Sequence, residues 1–83
     1  MTMIAQIKRL VQNKSYLEFE GQEGNMLRFV TRENGDVGEE EYSPMDYEEA
    51  ERVEKLIKDK FEGVETEVST VDEWVDLEVT IKD

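Results

Sequence analysis

Apolar residues follow a helical spacing in two segments of this chain and a strand spacing in several others. In residues 4–11 and 47–61 they recur every three or four positions, which is typical of amphipathic helices. In residues 16–20, 27–32 and 75–81 apolar and polar side chains alternate instead, which is typical of half-buried strands. Helices that pack on one face of an antiparallel sheet form a two-layer α+β domain, and this is the architecture that the sequence predicts.

The second helical segment has clear signals at both ends. Ser43 is suited to cap the helix, and Pro44 suits its first turn, where the missing N–H group would have no intrahelical partner. Asp46 and Glu48 lie at the positive end of the helix dipole, and Gly63 is suited to a left-handed C-terminal cap. The sequence therefore predicts a helix that begins at Pro44 and ends before Gly63.

The alternating segments predict an antiparallel sheet. Residues 16–20 and 27–32 are expected to form a hairpin with a five-residue connection, and Glu39–Ser43 is predicted as a third strand. Residues 64–73 have two interpretations, a strand or a helical turn, because Thr70 precedes Glu73 by the capping-box spacing. The predicted fold is one acidic α+β domain over residues 1–83. It has an antiparallel sheet of three to five strands, two or three helices on one face, and the order α-β-β-β-α-(α or β)-β.

These patterns predict one small core. Its expected members are apolar residues that share a face of a predicted strand or helix: Leu17, Phe19, Leu27, Phe29, Val53, Ile57, Phe61, Leu77 and Val79. A chain of 83 residues buries only about 60–65% of its unfolded surface, so these few side chains have to supply most of a modest stability.

Acidic residues are unevenly distributed along the chain. There are 22 Asp and Glu against 10 Lys and Arg, for a net charge of −12, and every acid lies after position 17. Residues 33–51 contain acids and no base, and so do residues 61–81. Such a surface repels nucleic acid and attracts cationic protein surfaces, although a merely solvated surface is the plainer interpretation.

The residue types that most enzymes need are missing. The chain has no His and no Cys, hence neither the commonest general base nor the strongest nucleophile, and no glycine-rich phosphate loop occurs. Glu33, Asp36, Glu39 and Glu41 do not have the spacing of a calcium-binding loop. We therefore expect a non-enzymatic binding protein without a cofactor or a dedicated metal site.

Neither a membrane span nor a signal peptide is expected. The chain has no apolar run of sufficient length, and its first residues lack the uninterrupted apolar core of a signal peptide. The absence of Cys fits the cytoplasm. We expect a cytoplasmic protein that binds neither membranes nor nucleic acid directly, and the oligomeric state stays open.

The acids have a spacing that can imitate a nucleic acid. Alternate residues of a strand lie about 6.7 Å apart, whereas one DNA strand carries a charge every 3.4 Å or so. A neighbouring acidic turn can supply the missing charge, and Arg or Lys binds carboxylates nearly as readily as phosphates. The candidate partner-binding residues are Glu33, Asp36, Glu39, Glu40, Glu41, Glu48 and Glu49, whereas Glu65 and Glu67 are placed outside the contact.

The order of several segments resembles the small acidic anti-CRISPR proteins encoded by prophages. The matching segments extend over nearly the whole chain: Ile7-Lys8-Arg9-Leu10, Asn13-Lys14-Ser15-Tyr16, Leu27–Arg32, Asn34-Gly35-Asp36, Val53-Glu54-Lys55-Leu56-Ile57, Phe61-Glu62-Gly63, Glu73-Trp74 and Val79-Thr80-Ile81-Lys82. Proteins of that family inhibit the type II CRISPR effector nuclease by occupying the site that reads the protospacer-adjacent motif (PAM). The C-terminal alternation departs from the family, in which this segment is a helix.

The resemblance implies that acidic residues pair with the Arg and Lys side chains that read the PAM, without catalysis. The corresponding acids are Asp36, Glu39, Glu40, Asp72 and Glu73. The leading hypothesis is an inhibitor from a phage or mobile element that blocks a basic nucleic-acid-binding protein with a DNA-mimicking face. The alternative is a mobile-element interaction module, or an accessory subunit, that does not mimic DNA.

Overall fold

The computed structural model describes residues 2–82 and has the element order α-β-β-α-β-β, which confirms the α+β class. The elements are α1 (Met3–Lys14), β1 (Glu18–Glu23), β2 (Met26–Thr31), α2 (Pro44–Lys60), β3 (Val64–Val71) and β4 (Trp74–Ile81). Of the two interpretations of residues 64–73, the strand is therefore correct.

Helix α2 begins as its sequence predicts. Ser43 is the N-cap, and its Oγ accepts a hydrogen bond from the Met45 N–H group at 3.2 Å, while Pro44 occupies the first turn. The helix ends at Lys60, and its C-cap Phe61 has an extended backbone and is only 8% exposed. Gly63 does have a left-handed φ of 74°, but it lies two residues beyond this cap, at the entry to β3.

The four strands form one antiparallel sheet in the order β1-β2-β4-β3. Two hairpins, β1–β2 and β3–β4, are joined at the centre of the sheet by the pairing of β2 with β4. In that pairing Thr31 lies opposite Val75 and Met26 opposite Thr80, without a register shift. Strands β1 and β3 are consequently the two edges of the sheet.

The first hairpin differs from the prediction in the length of its connection. A register shift between Phe19 and Gly21 lets β1 continue to Glu23, so the connection is only Gly24-Asn25. Gly24 has a φ of 59°, which glycine adopts without steric cost. The predicted five-residue connection is wrong, because a β-bulge absorbs the residue that would otherwise end the strand.

Both helices contact the sheet, and the core lies between them and its inner face. The buried apolar residues of that core are Ile7, Val11, Leu17, Leu27, Phe29, Ala50, Val53, Ile57, Phe61, Val75, Leu77 and Val79. All the predicted core residues are among them except Phe19, which is 40% exposed. Phe19 lies on an edge strand with no neighbour beyond it, so the prediction of its burial is wrong.

The predicted third strand, Glu39–Ser43, is also wrong. Residues 33–43 form a loop in which the backbone of Asp36 pairs with that of Glu41 in one isolated bridge. Between them Glu40 adopts a left-handed φ of 54°, which is incompatible with an extended strand. Three consecutive glutamates are also poor strand formers.

Candidate acidic interaction site

The acidic loop, which we define as residues 33–41, is held in shape by its own backbone and by one carboxylate. The Asp36 N–H donates to the Glu41 carbonyl at 2.8 Å, and the Glu41 N–H donates back to the Asp36 carbonyl at 3.2 Å. The Asp36 Oδ1 atom accepts from the Glu39 N–H at 3.2 Å. Part of the Asp36 carboxylate is therefore used within the loop, whereas the side chains of Glu39, Glu40 and Glu41 are exposed.

The loop is attached to the body of the protein by the buried carboxylate of Asp46, in the first turn of α2. Asp46 is 0% exposed and accepts hydrogen bonds from both the Asn34 N–H, at 3.0 Å, and the Asn34 Nδ2, at 2.8 Å. The Tyr16 hydroxyl donates to the same carboxylate at 2.9 Å. Sequence reasoning assigned Asp46 only to the helix dipole, and an acid in a first turn carries no signal that distinguishes a buried role.

The contact with Asp46 also changes the titration of Tyr16. Burial raises the pKa of the Tyr16 hydroxyl to about 12, and the hydrogen bond to Asp46 contributes further in the same direction. The ring is 37% exposed, so it is the hydroxyl end that lies in the partly buried contact. Tyr16 consequently remains a hydrogen-bond donor to Asp46 through the neutral and mildly alkaline range.

A close approach at Gly35 brings the acidic loop against the β3–β4 turn. A Cβ atom at Gly35 would lie 2.7 Å from the Glu73 carbonyl oxygen and 3.3 Å from the Glu41 carbonyl oxygen. Only glycine fits there without a shift of the backbone. The turn itself consists of Asp72 and Glu73, and Asp72 has a left-handed φ of 53°.

An open groove of about 570 Å³ lies where the loop meets this turn, and we call it the acidic groove. Glu40 and Glu41 line it from the loop, and Asp72 lines it from the turn. Two acidic segments that are distant in sequence, residues 33–41 and 72–73, are therefore brought together at one end of the sheet. The structure thus gathers most of the predicted partner-binding residues in one region.

Two of the predicted residues are engaged with bases inside the protein. The Glu49 oxygens accept from Arg52 Nε at 2.7 Å and Arg52 Nη2 at 2.8 Å, and this pairing lowers the Glu49 pKa. Glu49 also accepts from Ser15 Oγ at 2.7 Å, so it lies at the junction of α1 and α2. Glu73 lies 3.4 Å from Arg32. By contrast Glu33, Asp36, Glu39, Glu40, Glu41, Glu48 and Asp72 are exposed.

A second acidic surface, which sequence reasoning missed, covers the sheet face opposite the helices. In β4 the inward residues Val75, Leu77 and Val79 are buried, so Asp76 and Glu78 point to this open face. Cross-strand partners share a face, and the open face therefore also carries acids from β1 and β3. Its acids are Glu18, Glu20, Glu23, Glu65, Glu67, Asp76 and Glu78.

Arg28 lies between the acids at the centre of the open face. It lies 3.7 Å from Glu78 and 4.0 Å from Glu20, which are on the two neighbouring strands. The buried Arg28 Nε atom has no hydrogen-bond partner among residues 2–82. One guanidinium therefore balances only part of the negative charge on this face.

Burial raises the pKa of Asp76, and the charges of Glu20 and Glu78 add to the effect, while Arg28 opposes it. An Asp whose pKa is higher in the folded than in the unfolded state lowers stability once it ionises. Asp76→Asn is therefore expected to raise the melting temperature at pH 7. The gain should vanish as the pH falls below the ordinary aspartate pKa of 3.8, since both states are then protonated.

Asp59→Asn is the matched control for this prediction, because it removes the same charge at an exposed position of α2. Thermal unfolding of both variants across the acid range measures the effect. An equal gain in the two variants would mean that overall charge, and not the environment of Asp76, decides the result.

Within residues 2–82 no group of three or more acidic side chains is arranged to hold a metal ion. Neither α1 nor α2 combines the length and apolar character that crossing a membrane requires.

Comparison of the chain with protein-family models, curated proteins and solved structures gives no significant match. The likeness to the anti-CRISPR proteins therefore stays a prediction from the order and composition of the segments.

Proposed function

We propose that this chain is a non-enzymatic inhibitor that blocks a basic nucleic-acid-binding protein by presenting carboxylates where that protein expects phosphates. The observation that carries the proposal is the meeting of the acidic loop with the β3–β4 turn at Gly35 and Glu73. It joins acids from two separate segments into one surface, with Glu40, Glu41 and Asp72 around the acidic groove.

The rigidity of this surface favours binding. The loop is closed by the Asp36–Glu41 bridge, and it is attached to Asp46 through Asn34. A surface that is ordered before binding loses little conformational entropy when the partner docks. Arg and Lys side chains of the partner would then form charge-assisted hydrogen bonds with carboxylates that are already correctly placed before binding.

The resemblance to anti-CRISPR proteins supports a particular partner, the type II CRISPR effector nuclease. The acids that the resemblance assigns, Asp36, Glu39, Glu40, Asp72 and Glu73, belong to the loop and the turn that meet at the acidic groove. In this proposal the exposed members of this set, Asp36, Glu39, Glu40 and Asp72, bind the Arg and Lys side chains that read the PAM. PAM-bearing DNA is then excluded by competition.

The direct test is a competition titration with guide-loaded type II effector nuclease, a short labelled PAM duplex and the wild-type chain. Bound duplex should be displaced as the chain is added, and cleavage of a PAM-bearing target should fall in parallel. In a second arm, affinity capture from a host lysate identifies any other basic partner, which is then titrated in the same way with its own DNA.

Reversing the exposed charges of the loop in the variant E39K/E40K/E41K should weaken binding by about 100- to 1,000-fold. The reason is that each lost charge-assisted contact costs about 1.5–3 kcal/mol when it is desolvated and less at the rim. Asp36 is left unchanged, because its carboxylate accepts from the Glu39 N–H and helps to hold the loop.

The matched control is E51K/D59K/E62K, which changes the net charge equally at exposed positions on and just after α2. It should bind within a few-fold of wild type. Simultaneous binding of DNA and this protein to the partner would contradict mimicry and favour an interaction module. Equal affinities of the two variants would mean that the loop acids are only a solvated surface.

A further inference from the structure

Strand β3 is a long edge strand without the features that usually protect such an edge. Its eight residues, Val64–Val71, pair with β4 throughout without a register shift, and they include neither Pro nor Lys. The other edge, β1, is interrupted by a bulge between Phe19 and Gly21. Natural proteins blunt exposed edges with bulges, prolines and lysines, because unpaired strand groups accept further strands.

The register identifies the backbone groups that this edge leaves unpaired. The Lys82 N–H donates to the Gly63 carbonyl at 2.6 Å, which makes these two residues a hydrogen-bonded antiparallel pair. Alternate residues of β3 therefore bond to β4, beginning with Glu65 and Glu67. The N–H and C=O groups of Val64, Thr66, Val68 and Thr70 point away from the sheet, and among residues 2–82 they have no strand partner.

The charges beside this edge select the kind of strand that fits. Glu65 and Glu67 project from β3 onto the open face, and with Glu78 they line a groove of about 480 Å³ along the strand. Lys58 of α2 also lines this groove and offsets part of its negative charge. A salt bridge from Lys82 partly neutralises Glu65. A second copy of this chain would bring another row of glutamates to within about 4.8 Å, the strand spacing, and like charges across strands repel.

We propose that the β3 edge binds an extended basic segment of a partner protein, which adds to the sheet as a fifth strand. Its backbone pairs with the outward groups of Val64, Thr66 and Val68. Its Lys or Arg side chains, at every second position, lie beside Glu65 and Glu67. This site lies along residues 64–68, whereas the acidic groove is lined by Thr70 near the other end of β3. It does not depend on the proposed inhibition.

The test uses synthetic peptides as probes at about 0.15 M salt. A peptide of alternating Lys and Thr is compared with an alternating Glu and Thr peptide, and with the Lys peptide N-methylated at every second amide. The Lys peptide should bind and shift the amide resonances of residues 64–70. The Glu peptide should not bind, and N-methylation should weaken binding by at least about tenfold, since it removes strand hydrogen bonds and keeps the charge.

Reversal of charge in E65K/E67K should reduce affinity for the Lys peptide by about tenfold or more and create affinity for the Glu peptide. The control E51K/D59K makes the same change in net charge on α2 and should bind like wild type. If the N-methylated peptide binds as well as the unmodified one, strand addition is wrong.

The loop variant E39K/E40K/E41K separates this proposal from the proposed function. It should keep its affinity for the Lys peptide, because Glu40 and Glu41 line a groove with Thr70 and not with residues 64–68. If the loop variant loses the peptide while E65K/E67K retains it, the peptide binds at the acidic groove and the edge proposal is overturned. Loss of nuclease inhibition in the loop variant would still support the proposed function in that case.

Discussion

Phe29→Ala is expected to reduce the free energy of unfolding by about 3–5 kcal/mol. Phe29 is 1% exposed and lies on β2, opposite Leu77 in the middle of the sheet. Truncation removes the free energy gained by burying the ring and leaves a cavity between the sheet and the helices. The regular pairing of β2 with β4 prevents the backbone from moving in to fill this cavity. Because domains of this size are marginally stable, the loss is a large part of the total.

Phe19→Ala provides a matched control for this experiment. It removes the same atoms and breaks the same edge-to-face ring contact, in which the Phe19 and Phe29 centroids lie 5.6 Å apart. Phe19 is 40% exposed on an edge strand, so its truncation should cost about 1 kcal/mol or less. Denaturant titration measures both losses, and similar values would contradict the assignment of Phe29 to the core and Phe19 to its margin.

Asp46→Ala is the second substitution with a large expected effect. It leaves Asn34 N–H, Asn34 Nδ2 and the Tyr16 hydroxyl without the acceptor that they share. The three contacts are only partly buried, so each lost hydrogen bond costs less than the roughly 3 kcal/mol of a fully buried one, and we expect a total loss of about 2–3 kcal/mol. Asp59→Ala, at an exposed position of the same helix, should be close to neutral.

The titration of Tyr16 distinguishes a specific loss at Asp46 from general destabilisation. The pKa of Tyr16 should fall from about 12 towards its usual 10 when the acceptor is removed, although burial, its largest cause, remains. Titration of tyrosine absorbance with rising pH, over the range in which the protein stays folded, measures this change. An Asp46→Ala protein with normal stability and an unchanged tyrosine titration would contradict the role of the carboxylate.

The helices and the inner faces of the strands were predictable, because burial there follows local spacing. Leu77 and Val79 alternate with polar neighbours, and Val53 and Ile57 keep helical spacing, so each of these segments specifies its own buried face. The failures occurred where burial depends on neighbours that are distant in sequence. Phe19 has the spacing of a core residue, but β1 is an edge strand, so no further strand lies beside Phe19 to cover its side chain. Only the strand order shows this.

The candidate site was predictable in composition and only partly in arrangement. The acids of the loop are evident in the sequence, and the resemblance pointed to Asp72 and Glu73. The buried role of Asp46 was not evident, because it depends on a loop that folds back onto the start of α2. The open face was missed for a similar reason: its acids share a surface only when β4 lies between β2 and β3.

The position of β4 between β2 and β3 also governs how the chain reaches its native state. Each hairpin can form from neighbouring residues, but the two halves of the sheet are joined by contacts such as Arg32 with Glu73, which are 41 positions apart. Contacts of such long range slow folding, because the intervening chain loses conformational entropy before the stabilising contacts of the core can form. On the ribosome, the first hairpin therefore emerges with one side of β2 unpaired, and the core closes only after β4 has been synthesised.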